Sequence, residues 1–218
     1  MDLNVAKAML QTIRIEQERR LNSDSSDLEA ELAQWSETDL PFLNELALLL
    51  LAAVWHGVER ELIWLAAGHR AGGCELHSKS HKALIGAQQR AFGKRRQEFI
   101  AEFALTELAQ WPTIEMLRLL ANSYKHESSR RPRTELLTHL GLCTVVQRKP
   151  LKIVYGPLPD SLLFRRGLAK WLELDAGCDY CSIVEEVIRR VEQFLAAAND
   201  AIPQHTAFGR VSLRSFEG

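Results

Sequence analysis

Between Leu43 and Ala67 apolar residues recur every three or four positions, at Leu43, Leu46, Ala47, Leu50, Val54, Val58, Leu62 and Leu65. That is the period of a helix with one buried stripe. Its polar side carries Glu45, His56, Glu59, Arg60 and Glu61, and Gly68 with the Gly72-Gly73 pair is the expected stop. A loop is expected from His69 to about Ser80. Lys82 to Gln110 reads as one long helix with a basic start, an apolar second half and a candidate break at Gly93. Trp111, Pro112 and Thr113 mark a turn, with Pro112 suited to opening a helix and Glu115 near its positive end. The helix is expected to reach about His126. It buries Ile114, Leu117, Ala121 and Tyr124 and sets Glu115, Arg118, Asn122 and His126 on the other side.

Beyond it, Ser128 to Arg133 reads as a polar, basic turn, Glu135 to Val146 as a short helix, and Lys149 to Pro159, with Pro150, Gly156, Pro157 and Pro159, as a connector with room for one short strand. The last helix is better signalled. Ser182 and Glu185 have capping-box spacing, and Val184, Val187, Ile188, Val191, Phe194, Leu195 and Ala198 form its stripe. Leu3 to Leu21 predicts a first helix, followed by a flexible break at Asn22 to Ser26 and a second short helix. These elements predict an all-α fold, a helical bundle of five to six helices with a loop-rich insertion before the last. The expected divisions are a helical extension over 1–38, a bundle over 39–200 with the insertion at 147–177, and a loosely held tail over 201–218.

Composition narrows the class without naming a function. With 46% apolar and 25% charged residues in 218, the chain is neither disordered nor a fibrous repeat. A net charge of -1 compels neither nucleic acid nor membrane, so any basic surface is local. The longest apolar run, Leu46 to Trp55, is about ten residues where a bilayer span needs roughly 20, so no membrane segment is expected. Met1 to Arg20 has no apolar core of a secretory signal, and the expected compartment is the cytoplasm. Gly-rich phosphate loops, Gly-x-Ser-x-Gly elbows and His-Glu-x-x-His pairs are all missing from the sequence.

Three groups of residues can carry chemistry. Arg118, Asn122 and His126 follow one another at four-residue steps, so they make one slanted polar row on a helix. Histidine exchanges a proton near neutrality, arginine stabilises charge on a phosphate and asparagine orients either, a set suited to metal-free RNA cleavage by the 2′-hydroxyl. The same row also reads as a solvated face, with Lys125 and His126 complementing the helix dipole. A second group is a pair of knuckles. Cys74-x-x-His77, with His81 close by, and Cys178-x-x-Cys181 together offer donors for a structural zinc, although separate buried thiols or a redox pair fit the spacing too. The third is basic surface: Arg90, Lys94, Arg95 and Arg96 on one stretch, and Arg130, Arg131 and Arg133 just past Lys125 and His126. Such clusters are what phosphate contacts need, and equally what an ordinary solvated surface carries.

A helix of the type Ala53 to Leu62, with Glu59 on it, followed later by Leu117 to His126, resembles the HEPN superfamily of helical bundles. The resemblance covers roughly residues 40 to 135. Active members of that superfamily pair an arginine, usually followed by a polar residue such as asparagine, with a histidine four to six intervening residues later, assembled across a homodimer. Asn122 and His126 match the polar residue and the histidine, whereas the arginine's place is taken by Ala121. The nearest substitute is Arg118, about 12 Å of helical rise from His126. The resemblance implies a homodimeric RNA-directed protein of a bacterial defence or toxin–antitoxin system, with His126 as general acid/base, Asn122 orienting, and Arg118 or Arg130 on the phosphate. No cofactor is then required. Glu59 is expected to face Arg118 or His126, and Lys125, Arg130, Arg131 and Arg133 to meet RNA. Members lacking the arginine are expected to bind RNA or a partner protein without cutting.

Overall fold

In a computed structural model of the chain, the backbone is described for residues 3–21, 28–70, 78–125, 130–148, 151–158 and 161–203. Within these, side chains are described except at 20–43, 70–85, 130–132 and 145–155. The fold is all-α. Seven α-helices lie among the described residues: α1 (Leu3–Leu21), α2 (Leu28–Arg70), α3 (Ser78–Glu102), α4 (Trp111–Lys125), α5 (Arg130–His139), α6 (Leu162–Trp171) and α7 (Tyr180–Ala201). One antiparallel hairpin joins them, β1 (Thr144–Arg148) with β2 (Leu151–Tyr155), in the register Val145 to Val154 and Arg148 to Leu151. No helix among the described residues is long and apolar enough to cross a membrane.

Several boundaries differ from the pattern-based expectation. The expected short second helix and the central helix are one element, since α2 runs through Pro41 without interruption. Gly68 does not end it. That glycine is buried inside the last turns, and the helix continues to Arg70. α3 begins before Lys82 and passes through Gly93 unbroken, then ends at Glu102 because Ala104 turns left-handed (φ 49°) and a short 3-10 turn follows at Leu105–Glu107. α5 starts five residues before the expected Glu135, with Pro132 in its first turn, where a missing N–H costs least. The start of α7 is also corrected. Asp179 is its cap, accepting from the Ser182 N–H at 2.8 Å, so Ser182 lies inside the helix it was expected to cap. The expected flexible break after Leu21 and the tail beyond Pro203 lie outside the described residues.

The largest correction concerns 147–177, which holds a hairpin and a helix instead of loop. Ser161 caps α6 by accepting from the Phe164 N–H at 3.1 Å, and Phe164 and Leu168 are fully buried one turn apart. Both α5 and α6 end in the same way. After α5, Gly141 (φ 67°) follows the helix and Leu142 N–H returns to Leu137 O at 2.8 Å; after α6, Glu173 (φ 65°) does so and Leu174 N–H returns to Ala169 O at 2.9 Å. These six-to-one bonds define Schellman ends.

Contacts divide the chain into two compact units, residues 1–55 with 115–189 and residues 56–114 with 190–218. In the first, α1 buries Ala6, Leu10 and Ile13, while Arg14 donates to Glu185 and the Cys181 thiol to Gln17 Oε1. Apolar burial decides this docking, at roughly 1.5–3 kcal/mol for each large side chain. The half-exposed ion pair contributes about 0.2–1 kcal/mol. Arg133 ties α5 to the chain leaving β2 by donating to the carbonyls of Gly156 and Pro157 at 3.3 and 3.2 Å. Gly156 itself sits close to α5: an added Cβ would lie 2.8 Å from Leu137 Cδ1 and 3.1 Å from Leu142 O. Gly156→Ala is therefore expected to lower unfolding free energy by roughly 1–3 kcal/mol in urea titration, since buried Leu137 and a backbone carbonyl must both move.

In the second unit the core is formed by Val58, Leu62, Phe92, Phe99, Ile114, Val191, Phe194 and their neighbours. Phe99 meets Phe92 and Phe103 edge-on at 5.6 and 5.2 Å. His69 secures the end of α2. Its Nδ1 donates to the Pro203 carbonyl at 2.8 Å and its ring stands edge-on to Phe103 at 4.8 Å.

Candidate functional site

Of the expected polar row, Arg118 and Asn122 are half-buried on α4, and the arginine is already occupied. Glu115 and Arg118 are one turn apart, and the guanidinium forms a two-pronged pair with the carboxylate, Nε to Oε2 at 2.8 Å and Nη2 to Oε1 at 2.5 Å. Both side chains are about three-quarters covered, at 24% and 28% exposure, so the pair is sheltered from solvent. The hydrogen bond to Glu115 raises the Arg118 pKa, with the carboxylate charge adding to it and burial opposing it. A guanidinium so paired has spent the fork geometry that would grip a phosphate.

Ala121 completes this picture. It is 7% exposed, on the stripe that also buries Leu117 and Leu120 at 0%. Where the HEPN pattern places an arginine, α4 turns an apolar side chain into the core. Asn122 is half-buried beside it and Lys125 is exposed at the helix end. His126 lies outside the described residues, and so do the side chains of Arg130 and Arg131.

Glu59 and Arg133 have other partners than expected. Arg96 Nη1 meets Glu59 Oε1 at 3.4 Å, and His56 Nδ1 lies 3.8 Å from Glu59 Oε2. Glu59 belongs to the second unit and Arg118 to the first. Arg133, expected on RNA, is engaged with the backbone carbonyls after β2. Neither pairing was legible, since each joins segments more than twenty residues apart with no periodic signal.

Only one of the two cysteine knuckles lies among the described residues. Cys74 and His77 lie outside the described residues. Cys178 is half-buried just ahead of α7, and Cys181 is fully buried in its first turn. Burial pushes the Cys178 thiol up, with Asp179 adding and Arg165 opposing. Burial likewise pushes Cys181 up to about 11, with Asp179 adding and Arg14 opposing. Metal ligation and thiol–disulfide chemistry both use the thiolate, which these surroundings disfavour. Among the described residues no group of three or more His, Cys, Asp or Glu is arranged to hold a metal ion.

The raised Cys181 pKa has a definite sign for stability. The folded state holds the proton to about pH 11, whereas an unfolded thiol releases it near its ordinary value of 9.0, so this stabilisation is complete below pH 9 and is lost as pH rises toward 11. Urea unfolding at pH 8, 9.5 and 11 is expected to show a decline that is shallower in Cys181→Ala. An identical decline in both proteins would remove Cys181 as its cause.

No protein-family model, curated protein or solved structure matches the chain.

Proposed function

We propose that this chain is an RNA-directed helical-bundle protein that holds its RNA without cutting it, a HEPN-like protein lacking the catalytic arginine. The observation that carries the reading is the Glu115–Arg118 pair beside the buried Ala121. Cleavage through the 2′-hydroxyl needs a free cation against the phosphate, and on α4 the guanidinium is neutralised by its own helix while the alternative position is an inward-facing alanine. In this reading His126 and Asn122 line a binding surface, the chain works as a homodimer in the cytoplasm, and a role in bacterial defence or toxin–antitoxin control follows from the resemblance. It requires no metal.

The test incubates purified protein with mixed single-stranded and transfer RNA in EDTA, beside a His126→Ala variant, and follows both retention and fragmentation. Retained, full-length RNA is the expected result. Fragmentation that disappears in His126→Ala would make the protein a nuclease. Absence of any retained RNA would turn the reading to a module that binds a partner protein.

A further inference from the structure

We infer that the exposed face of α3 formed by Arg90, Lys94 and Arg95 is the surface on which the phosphate backbone of single-stranded RNA lies. This inference rests on the RNA-directed reading above and assigns the phosphate backbone of the strand to α3. From Ser78 to Gln97 the chain carries six Lys and Arg and no Asp or Glu, although the whole protein has a net charge of -1. The positive field is therefore concentrated on one helix.

The availability of these cations sets them apart from Arg118, Arg96 and Arg133. Arg90, Lys94 and Arg95 are exposed, and none makes an ion pair with a described residue. Arg118 is held by Glu115, Arg96 by Glu59, and Arg133 by two carbonyls. A phosphate reaching any of those must first displace an existing partner, which offsets the gain. On α3 it displaces no ion-pair partner among the described residues.

Geometry supports a strand rather than a single anion. Arg90 and Lys94 are one turn apart, about 6 Å along the axis, so their heads meet neighbouring phosphates of an extended chain, and Arg95 is offset by roughly 100° around the helix. Exposed Gln89 and Gln97 flank them as uncharged hydrogen-bond donors. Between Arg90 and Lys94 lies Gly93, also exposed, at which an added Cβ would meet no atom within 4 Å. A glycine inside an exposed helix costs about 1 kcal/mol relative to alanine. No packing among the described residues explains it, and it leaves a low floor between the cationic heads for a sugar–phosphate chain.

The experiment measures anisotropy of a fluorescein-labelled 20-nucleotide oligouridine with the full chain from 50 to 200 mM NaCl. Three proteins are compared: wild type, Arg90→Gln/Lys94→Gln/Arg95→Gln, and a charge-matched control, Arg19→Gln/Arg166→Gln/Lys170→Gln, with circular dichroism reporting the fold of each. Three phosphate contacts give a log–log salt slope of about -2, or roughly twentyfold weaker binding at 200 mM than at 50 mM. The α3 variant is expected to lose about 2 from the magnitude of the wild-type slope and to bind roughly tenfold or more weakly at 50 mM, with the control unchanged. Wild-type affinity and slope in the α3 variant would overturn the placement while leaving the RNA-directed reading intact. No binding by folded wild type at 50 mM would overturn both.

Discussion

Installing the arginine that the HEPN pattern asks for, Ala121→Arg, is expected to cost stability on the order of 3–5 kcal/mol and to produce no RNA cleavage. Ala121 is 7% exposed, on the same stripe as Leu117 and Leu120 at 0%. A guanidinium there must either desolvate a charge inside the core or bend its stem outward and displace packed neighbours, and Glu115 is already engaged with Arg118. Urea unfolding and a nuclease assay on the same preparation check the two halves. A variant of wild-type stability that cleaves RNA in EDTA would contradict the account of α4.

The second large effect concerns α6. Phe164→Ala is expected to remove about 3–5 kcal/mol, because the ring is fully buried and its loss leaves a cavity. For a chain of this length that corresponds to a fall in Tm of roughly 6–20 °C. Leu163→Ala, one residue earlier and 67% exposed, is expected to stay within about 0.5 kcal/mol. Equal small effects at both positions would mean that 162–171 belongs to a loop-rich insertion that adds little to the core.

How legible each feature was depended on how local its cause is. The stripe of α7 from Val184 to Ala198 was visible because a three-and-four period over several turns has few other readings, and Val184, Val187, Val191 and Ala198 are indeed fully buried. Glycine misled in two opposite ways: Gly68 is buried inside α2 and Gly93 is exposed inside α3, yet both carry the mark of a helix end. Phe164, Leu168 and Leu172 have helical spacing, but Pro157, Pro159 and the Arg165–Arg166 pair around them obscured a helix of ten residues.

At the candidate site the polar row was legible from spacing, and so in principle was the three-residue step from Glu115 to Arg118. What the chain order cannot convey is competition among partners. Glu59 finds Arg96 and Arg133 finds the carbonyls of Gly156 and Pro157 only once the helices and hairpin are in place. Arg90, Lys94 and Arg95, which make no ion pair with a described residue, stand out only after Arg96, Arg118 and Arg133 have been assigned.

The most direct test of the central claim is a single-turnover gel. End-labelled single-stranded RNA is held with excess wild-type protein in EDTA at 50 mM salt, the protein-bound fraction is recovered on a filter, and its RNA is run under denaturing conditions. The account predicts bound RNA of full length at every time. Accumulation of shortened RNA ending in 2′,3′-cyclic phosphate, abolished by His126→Ala, would contradict it.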